Sequence, residues 1–149
     1  MSSLLRVSGA ASLALHTTVF LAGTAGQPVP AREIATTLDV SEAHLAKVLQ
    51  RLAKVGLVRS FRGPKGGFVL GKNEDEITLL EVYESIEGPL EATHCLFDIP
   101  ACNGNGCIFG DLLETVHRQV NKYLSETKLS TQTHIRWGVD LDVETNSHN

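Results

Sequence analysis

Residues 31–70 constrain the fold more than any other stretch, because two short helical patterns are followed there by a glycine-rich hairpin signal. A first helix is predicted from Ala31. A second is predicted after Ser41, whose hydroxyl suits an N-cap, with Glu42 favourably placed in the first turn. The second helix carries an apolar stripe at helical spacing. The stripe consists of Leu45, Val48, Leu49, Leu52 and Val55, and Gly56 ends the helix. Two short helices joined by a tight turn predict a helix-turn-helix.

The hairpin signal follows directly, since a Gly-Pro turn separates a segment that contains Val58 and Ser60 from the apolar run Phe68, Val69 and Leu70. Arg59, Arg62 and Lys65 lie on its first strand and its tip. Gly63 permits a positive φ and a close approach of the backbone to phosphate. A basic hairpin after a helix-turn-helix is typical of a wing, whose tip can enter the minor groove of DNA. The sequence therefore predicts a DNA-binding winged helix.

The outer face of the second helix carries side chains that can donate hydrogen bonds to phosphates and base edges, as a helix in the major groove must. A solvated helix face would show the same charges, and the adjoining hairpin decides in favour of DNA binding. The predicted DNA-binding residues on the two elements are Ser41, His44, Lys47, Gln50, Arg51, Arg59, Arg62, Gly63 and Lys65.

The net charge of −4 conceals a division along the chain. Residues 1–72 contain nine basic and three acidic side chains, a balance of +6, whereas residues 73–149 contain four and fourteen, a balance of −10. The acidic total argues against a polyanionic partner. The basic half argues for one, because the field near a bound polymer acts only over a Debye length of about 10 Å.

The acidic half contains two further helical patterns. Thr78 and Glu81 form the T-x-x-E pattern of a capping box, and Gly88 ends the helix that they begin. A longer helix follows residue 110, with an apolar stripe of Leu112, Leu113, Val116, Val120, Tyr123 and Leu124. A long helix extending from a small domain has little core of its own to cover. We therefore expect it to pack against its twin in a homodimer, with packing on its own domain as the alternative.

These patterns predict a mainly α fold with a small β-hairpin wing, that is, a winged helix-turn-helix plus a long dimerisation helix. A last short helix is expected over residues 130–137, with Trp137 anchoring it to the body of the domain. The predicted divisions are a DNA-binding domain at 1–90, a cysteine-rich cluster loop at 91–109, the dimerisation and C-terminal helices at 110–137, and a polar tail at 138–149.

All three cysteines of the chain lie in one irregular stretch with the spacing Cys-x6-Cys-x4-Cys. An odd number of cysteines cannot pair completely within one chain. A structural zinc site usually has four ligands in two short clamps, which this stretch lacks. A disulfide between two of them is an alternative that a loop would allow. An iron–sulfur cluster fits better, because thiolates are its usual ligands. The candidate ligands are Cys95, Cys102 and Cys107.

The order of these elements, with the RGPKGGF wing, the ITLLEVYESIEG helix and the cysteine trio, resembles the IscR, NsrR and RirA-type transcription regulators of the Rrf2 family. The resemblance runs from about residue 5 to residue 129. It implies a cytoplasmic, homodimeric regulator that binds a quasi-palindromic operator in double-stranded DNA. Many members hold an iron–sulfur cluster whose state sets operator affinity. The resemblance thus implies a 2Fe–2S or 4Fe–4S cluster that senses redox state, nitric oxide or iron.

The resemblance leaves the fourth ligand of the cluster open. IscR-like members place a histidine three residues after the last cysteine, where this chain has Gly110. NsrR-like members use an aspartate of the partner's first helix, where this chain has Ser12. One subgroup uses a histidine from the first helix of the partner subunit, and His16 of the partner subunit is the matching residue here. The match is partial, because that subgroup also has a glutamate where this chain has Ser12. Solvent or a small thiol is a further alternative, and His16 can instead be a packed histidine. Candidates nearer in sequence, without a match in the family, are His94, Asp111 and His117.

Other classes of protein are disfavoured. The glycines of the GPKGGF motif lie on a hairpin tip and not at the entry to a helix, so they do not predict a nucleotide site, and no catalytic set is indicated. We therefore expect no enzyme activity. Polar residues interrupt the apolar run near the N-terminus, so we expect a buried helix rather than a signal peptide or a membrane span. The alternative function is a winged-helix regulator without a cluster, whose cysteines act as a thiol switch or bind zinc.

Overall fold

The computed structural model describes residues 4–102 and 106–138, and the predicted tail lies outside the described residues except for Gly138. Five α-helices and one antiparallel hairpin make up the described fold. In chain order the elements are α1 (Gly9–Ala22), α2 (Ala31–Leu38), α3 (Glu42–Lys54), β1 (Val58–Phe61), β2 (Gly67–Leu70), α4 (Leu79–Glu87), α5 (Leu112–Glu126) and a 3-10 helix (Leu129–Gln132).

The helix-turn-helix forms as the sequence predicts. Asp39 ends α2 in the left-handed conformation with φ 53°, and Ser41 caps α3 by accepting a 3.1 Å hydrogen bond from the backbone N–H of His44. The apolar stripe of α3 is buried through Leu52, but Val55 is 54% exposed. Its inclusion in the buried stripe was wrong, because Val55 is already the C-cap and no longer has helical dihedrals.

The wing is a two-stranded hairpin in which Val58 pairs with Leu70 and Phe61 with Gly67. It is tied to the chain before α2, since Val29 and Phe68 exchange backbone hydrogen bonds of 3.0 and 2.8 Å. A Cβ at Gly67 would lie 2.4 Å from the backbone carbon of Val29, so only glycine allows this approach. The wing is therefore fixed to the helical body at its base.

The core is organised around α1, against which α3, α4, β2 and the 3-10 helix pack. Most of α1 is buried, as expected for a helix that is apolar on nearly every side. The prediction of a buried first helix is thus confirmed. In residues 4–102 and 106–138 no helix is long and apolar enough to cross a membrane.

The helices of the acidic half differ from the predicted details. Thr78 caps α4 by accepting from the N–H of Glu81 at 3.2 Å, but the Glu81 carboxylate pairs with Lys72, so the reciprocal half of the capping box is not formed. Along the predicted stripe of α5 only Leu113 is buried, whereas Leu112 and Tyr123 are 45% and 59% exposed. The helix packs on α4, and Leu112 and Tyr123 remain exposed. Homodimerisation through α5 stays a prediction.

The C-terminal helix is shorter than expected, because residues 133–138 leave the 3-10 helix as turns and extended chain. Trp137 nevertheless packs on the body as predicted. Its ring makes edge contacts with His16 and Phe20, each with centroids 6.0 Å apart. The chain after α5 is therefore held against α1.

Replacing Leu52, which is fully buried, with alanine should lower the free energy of unfolding by about 2–5 kcal/mol, because it removes core contacts and leaves a cavity. Val55→Ala on the same helix should change it by less than about 0.5 kcal/mol, since Val55 is exposed. Urea unfolding followed by circular dichroism measures both. Equal losses for the two variants would contradict the burial pattern of α3.

Candidate nucleic-acid interface and cysteine pocket

The predicted DNA-reading residues of α3 lie on its exposed face. His44, Lys47 and Gln50 are all exposed and make no hydrogen bond through their side chains to residues in the described ranges. Ser41 is exposed too, but its hydroxyl is engaged in capping the helix. The first three side chains are therefore free to meet phosphates or base edges, while Ser41 presents a hydroxyl that is already an acceptor.

Arg51 differs from its neighbours. Its Nη2 donates a 2.7 Å hydrogen bond to the backbone carbonyl of Ile86 in the last turn of α4. The two residues are 35 positions apart in the chain, so no local pattern announces the contact. Arg51, which the sequence predicted to bind DNA, therefore already donates a hydrogen bond to an acceptor inside the protein.

The wing presents its basic side chains to solvent. Arg59, Arg62, Gly63 and Lys65 are all exposed, and the Arg59 guanidinium lies 5.6 Å from the centroid of the Phe61 ring. Gly63 has a φ of 108°, a conformation that other residues rarely adopt, and no atom would approach a Cβ there. The tip is accordingly open on all sides, as an element that enters a groove must be.

The three cysteines line one cavity of about 280 Å³ with mainly apolar walls. The other lining residues are Leu96, Phe97, Ala101, Gly106, Ile108 and Phe109. All three thiols are free, with Cys95 partly buried and Cys102 and Cys107 exposed. The backbone N–H of Phe97 donates to Cys95 Sγ at 3.4 Å, the kind of bond that stabilises a thiolate ligand.

Three thiols that line one apolar cavity, with a backbone amide directed at one of the sulfurs, are donors of the kind that an iron–sulfur cluster uses. The thiols are not drawn together on one point. Within the described part of the chain, no three His, Cys, Asp or Glu side chains form a group that could hold a metal ion.

His16 lies on α1 and lines other cavities than the one that holds the cysteines of its own chain. Its Nδ1 is 2.6 Å from the Ser12 carbonyl, and since a carbonyl can only accept, Nδ1 is the donor, which in the neutral ring leaves Nε2 as the acceptor. The ring is exposed and packs against Trp137. A bond of this kind orients metal-binding histidines, but it also suits the alternative of a packed histidine.

The other candidates for a fourth ligand lie apart from the cysteine cavity. His94 and His117 line a separate polar cavity with Glu114 and Arg118. Asp111 stands at the start of α5 and makes no capping bond through its side chain. Neither cavity therefore combines a histidine with the three thiols in a single chain.

Sequence reasoning missed the polar contacts around the end of α4. The Tyr83 hydroxyl donates to the Arg6 carbonyl at 2.7 Å, and the backbone N–H of Ser8 donates to Glu87 Oε1 at 3.0 Å. Hydrogen bonds from the Ser8 side chain and backbone lower the pKa of Glu87, and Arg6 and Arg51 act in the same direction. Burial raises the pKa of Tyr83. These partners are 77 and 79 residues apart, so no sequence signal could have paired them.

Residues 7–133 match the Rrf2 family, described as an iron-dependent transcriptional regulator. The HTH-type transcriptional regulator IscR of Photorhabdus laumondii is 33% identical over 102 residues, which cover 68% of this chain and 62% of the relative. IscR of Pectobacterium atrosepticum is 32% identical with the same coverage. The match thus spans about 62% of the length of these relatives. They are described as regulators, which confirms the expectation that the chain is not an enzyme.

Solved structures share the fold. CymR of B. subtilis, described as its global cysteine regulator, superposes with a TM-score of 0.74 at 28% identity, covering 89% of this chain and 99% of that one. IscR of T. potens superposes with a TM-score of 0.65 at 21% identity, covering 90% and 94%, which shows the fold alone. The winged helix-turn-helix predicted from the sequence is thereby confirmed.

Cys102 and Cys107 should react with iodoacetamide faster than Cys95 in the reduced, metal-free protein, because Cys95 is partly buried whereas the other two are exposed. Mass spectrometry of quenched samples gives the three rates. In urea the rates should converge, which controls for intrinsic reactivity. If Cys95 reacted first in the folded protein, the described placement of the thiols would be wrong.

Proposed function

Because this chain belongs to the Rrf2 family of transcriptional regulators, we propose that it binds an operator in double-stranded DNA and that an iron–sulfur cluster controls its affinity. The observation that carries the proposal is the single cavity lined by three free thiols. That cavity is formed by the segment that joins α4 of the winged domain to α5. A change at the thiols therefore occurs between the DNA-reading half and the helix proposed to form the dimer.

DNA binding is assigned to the exposed face of α3 and to the wing. His44, Lys47 and Gln50 would meet the major groove, and Arg62 and Lys65 at the wing tip would reach the minor groove or its phosphates. The support is their exposure on a helix capped by Ser41 and on a wing whose base is bonded to Val29. Gly63 would let the backbone of the wing approach a phosphate closely. Arg59 would contact DNA from the flank of the wing, and Ser41 from the start of α3.

The homodimer is assigned to α5. Leu112 and Tyr123 are large, exposed and separated by three helical turns on one face, which is the pattern of a helix that packs on its twin. A twofold axis there would set two recognition helices about one DNA turn apart and require a quasi-palindromic operator.

The cluster is assigned to Cys95, Cys102 and Cys107, with His16 of the partner subunit as the fourth ligand. When bound, a 2Fe–2S or 4Fe–4S cluster supplies one-electron chemistry and reactivity toward nitric oxide and oxygen. The three cysteines would hold it, and the apolar wall of the cavity would limit its contact with water. Reduced thiols are maintained in the cytoplasm, where we place the protein.

A second function uses the same residues without a cluster. Two of the three thiols are exposed and all are free, so oxidation or zinc binding would also change the segment before α5. The coupling to DNA would then pass through a disulfide or a zinc ion. Metal and sulfide content distinguishes the two functions.

Arg62→Ala should weaken binding to random duplex DNA and reduce the slope of log affinity against log salt by about one, because one phosphate-directed cation is lost. Fluorescence anisotropy at several salt concentrations measures this. Arg118→Ala is the matched control, since Arg118 is an exposed arginine of α5 that pairs with Glu114, away from the proposed interface. An unchanged slope for Arg62→Ala would remove the wing from the interface.

Protein purified without air should show visible absorption bands with stoichiometric iron and sulfide. Each of the serine variants at 95, 102 and 107 should lose them, because a serine hydroxyl does not replace a thiolate. His16→Ala should shift or weaken the bands, whereas the control His117→Ala, outside the cysteine cavity, should not. Colourless, iron-free wild-type protein that still binds its operator would overturn the cluster and leave the thiol switch or a zinc site, which zinc analysis separates.

A further inference from the structure

The contact between Arg51 and Ile86 joins the recognition helix to the end of another helix. Ile86 lies in the last turn of α4, where backbone carbonyls have no partner within the helix. A guanidinium at this position satisfies one such carbonyl with a charge-assisted bond of 2.7 Å and complements the negative end of the helix dipole. The bond therefore has a physical reason that does not involve DNA.

The last turn of α4 is also where the cysteine segment begins. Gly88 ends the helix with a φ of 81°, and the backbone N–H of Leu90 then donates to Glu84 Oε1 at 3.2 Å. The chain that leads to Cys95 is thus tied back to the turn that Arg51 holds. On its other side, Glu87 of the same turn accepts from Ser8 at the start of α1.

The neighbouring cations on α3 lack such an anchor. Lys47 and Lys54 make no hydrogen bond or ion pair to residues 4–102 or 106–138, and Arg51 alone among the basic residues of α3 is bonded to α4. The outer face of α3, on which Lys47 and Arg51 were both predicted to bind DNA, is therefore divided. Lys47 is free to meet DNA, and Arg51 is directed to the protein.

We propose that Arg51 is a positioning residue that docks the recognition helix α3 on the last turn of α4, and that it transmits the state of the cysteine segment to the DNA-reading face. This inference rests on the proposed function. Rearrangement of residues 88–95 would move the Ile86 carbonyl or reorient it, and a hydrogen bond weakens steeply with misalignment. The orientation of α3 would then differ between the two states of the segment, which is what a difference in operator affinity requires.

The test compares two states of the full-length protein on an operator selected from random duplexes. One state is the protein as isolated without air, and the other has its three thiols completely alkylated with iodoacetamide. The ratio of the two dissociation constants should be at least about fivefold for the wild type, the lower end of common coupling. Arg51→Gln should bring this ratio to within about twofold of one, while the salt slope of the isolated state stays unchanged.

Lys47→Gln is the matched control, because it removes a cation from the same face without touching α4. It should lower the salt slope by about one and leave the ratio between the two states as in the wild type. Melting curves establish that each variant is folded. If Arg51→Gln does not fold, Glu84→Ala replaces it, since it releases Leu90 from the same turn and must also reduce the ratio.

The outcomes separate the inference from the function on which it rests. If Arg51→Gln lowers the salt slope by about one and keeps the ratio, Arg51 is a phosphate contact and the inference is overturned alone. If slope and ratio both stay as in the wild type, with or without a lower melting temperature, the role is at most structural and the inference is again overturned. A wild-type ratio near one means that the sensing part of the proposed function has failed, and the inference falls with it before any variant is compared.

Discussion

Burial of α1 on nearly every side is the constraint on which the other elements depend. Ala11 and Ala14 are fully buried, and small side chains at this spacing let neighbouring helices approach closely. Both α3 and α4 pack on α1, so their relative position is set through it. The short reach from Arg51 to the Ile86 carbonyl follows from that shared support. Hence the apolar interior determines which polar groups can meet at the surface.

The basic and acidic halves of the chain lie on different elements of the fold. Six of the nine basic residues of the first half lie on α3 and the wing, whereas α4, α5 and the intervening segment belong to the acidic half. At physiological ionic strength charges more than about 8–10 Å apart are largely screened. The acidic half therefore need not oppose a polyanion at the wing. On the proposed function, its negative charge would disfavour contacts between DNA and the rest of the surface and so favour one orientation of binding.

Local signals explain what the sequence could predict. The Ser41 cap, the apolar spacing of α3 and the glycines of the wing each depend on residues a few positions apart, and these elements form as expected. The burial of Val55 depended on where α3 ends, and Val55 lies one residue beyond the last helical residue, Lys54. Glu81 had two possible partners, and its carboxylate pairs with Lys72 rather than with the Thr78 amide.

In the candidate sites too, features set by nearby residues could be predicted, and features set by residues distant in the chain could not. Exposure of His44, Lys47 and the wing tip could be read from periodicity, because the buried stripe of α3 leaves its opposite face to solvent. The bond of Arg51 could not, since it joins residues far apart in the chain. The cysteine segment has no periodicity at all. Its residues could be grouped by type, but the cavity that they share follows only from the path of the backbone.

The exposed apolar residues of the cysteine segment bear on the proposed homodimer. Ile99 and Ile108 are 84% and 95% exposed, and Phe97 beside them is also exposed. Leaving such side chains in water costs about 25 cal/mol for each Å² that could be covered, and clustered exposure of this kind marks interaction surfaces. Ile108 also stands four residues before Leu112, the first exposed apolar residue of α5. On the proposed function, one covering surface would both complete the dimer and exclude water from the thiols. Solvent access at the cysteines would then depend on assembly, which makes dimer stability part of the sensing chemistry.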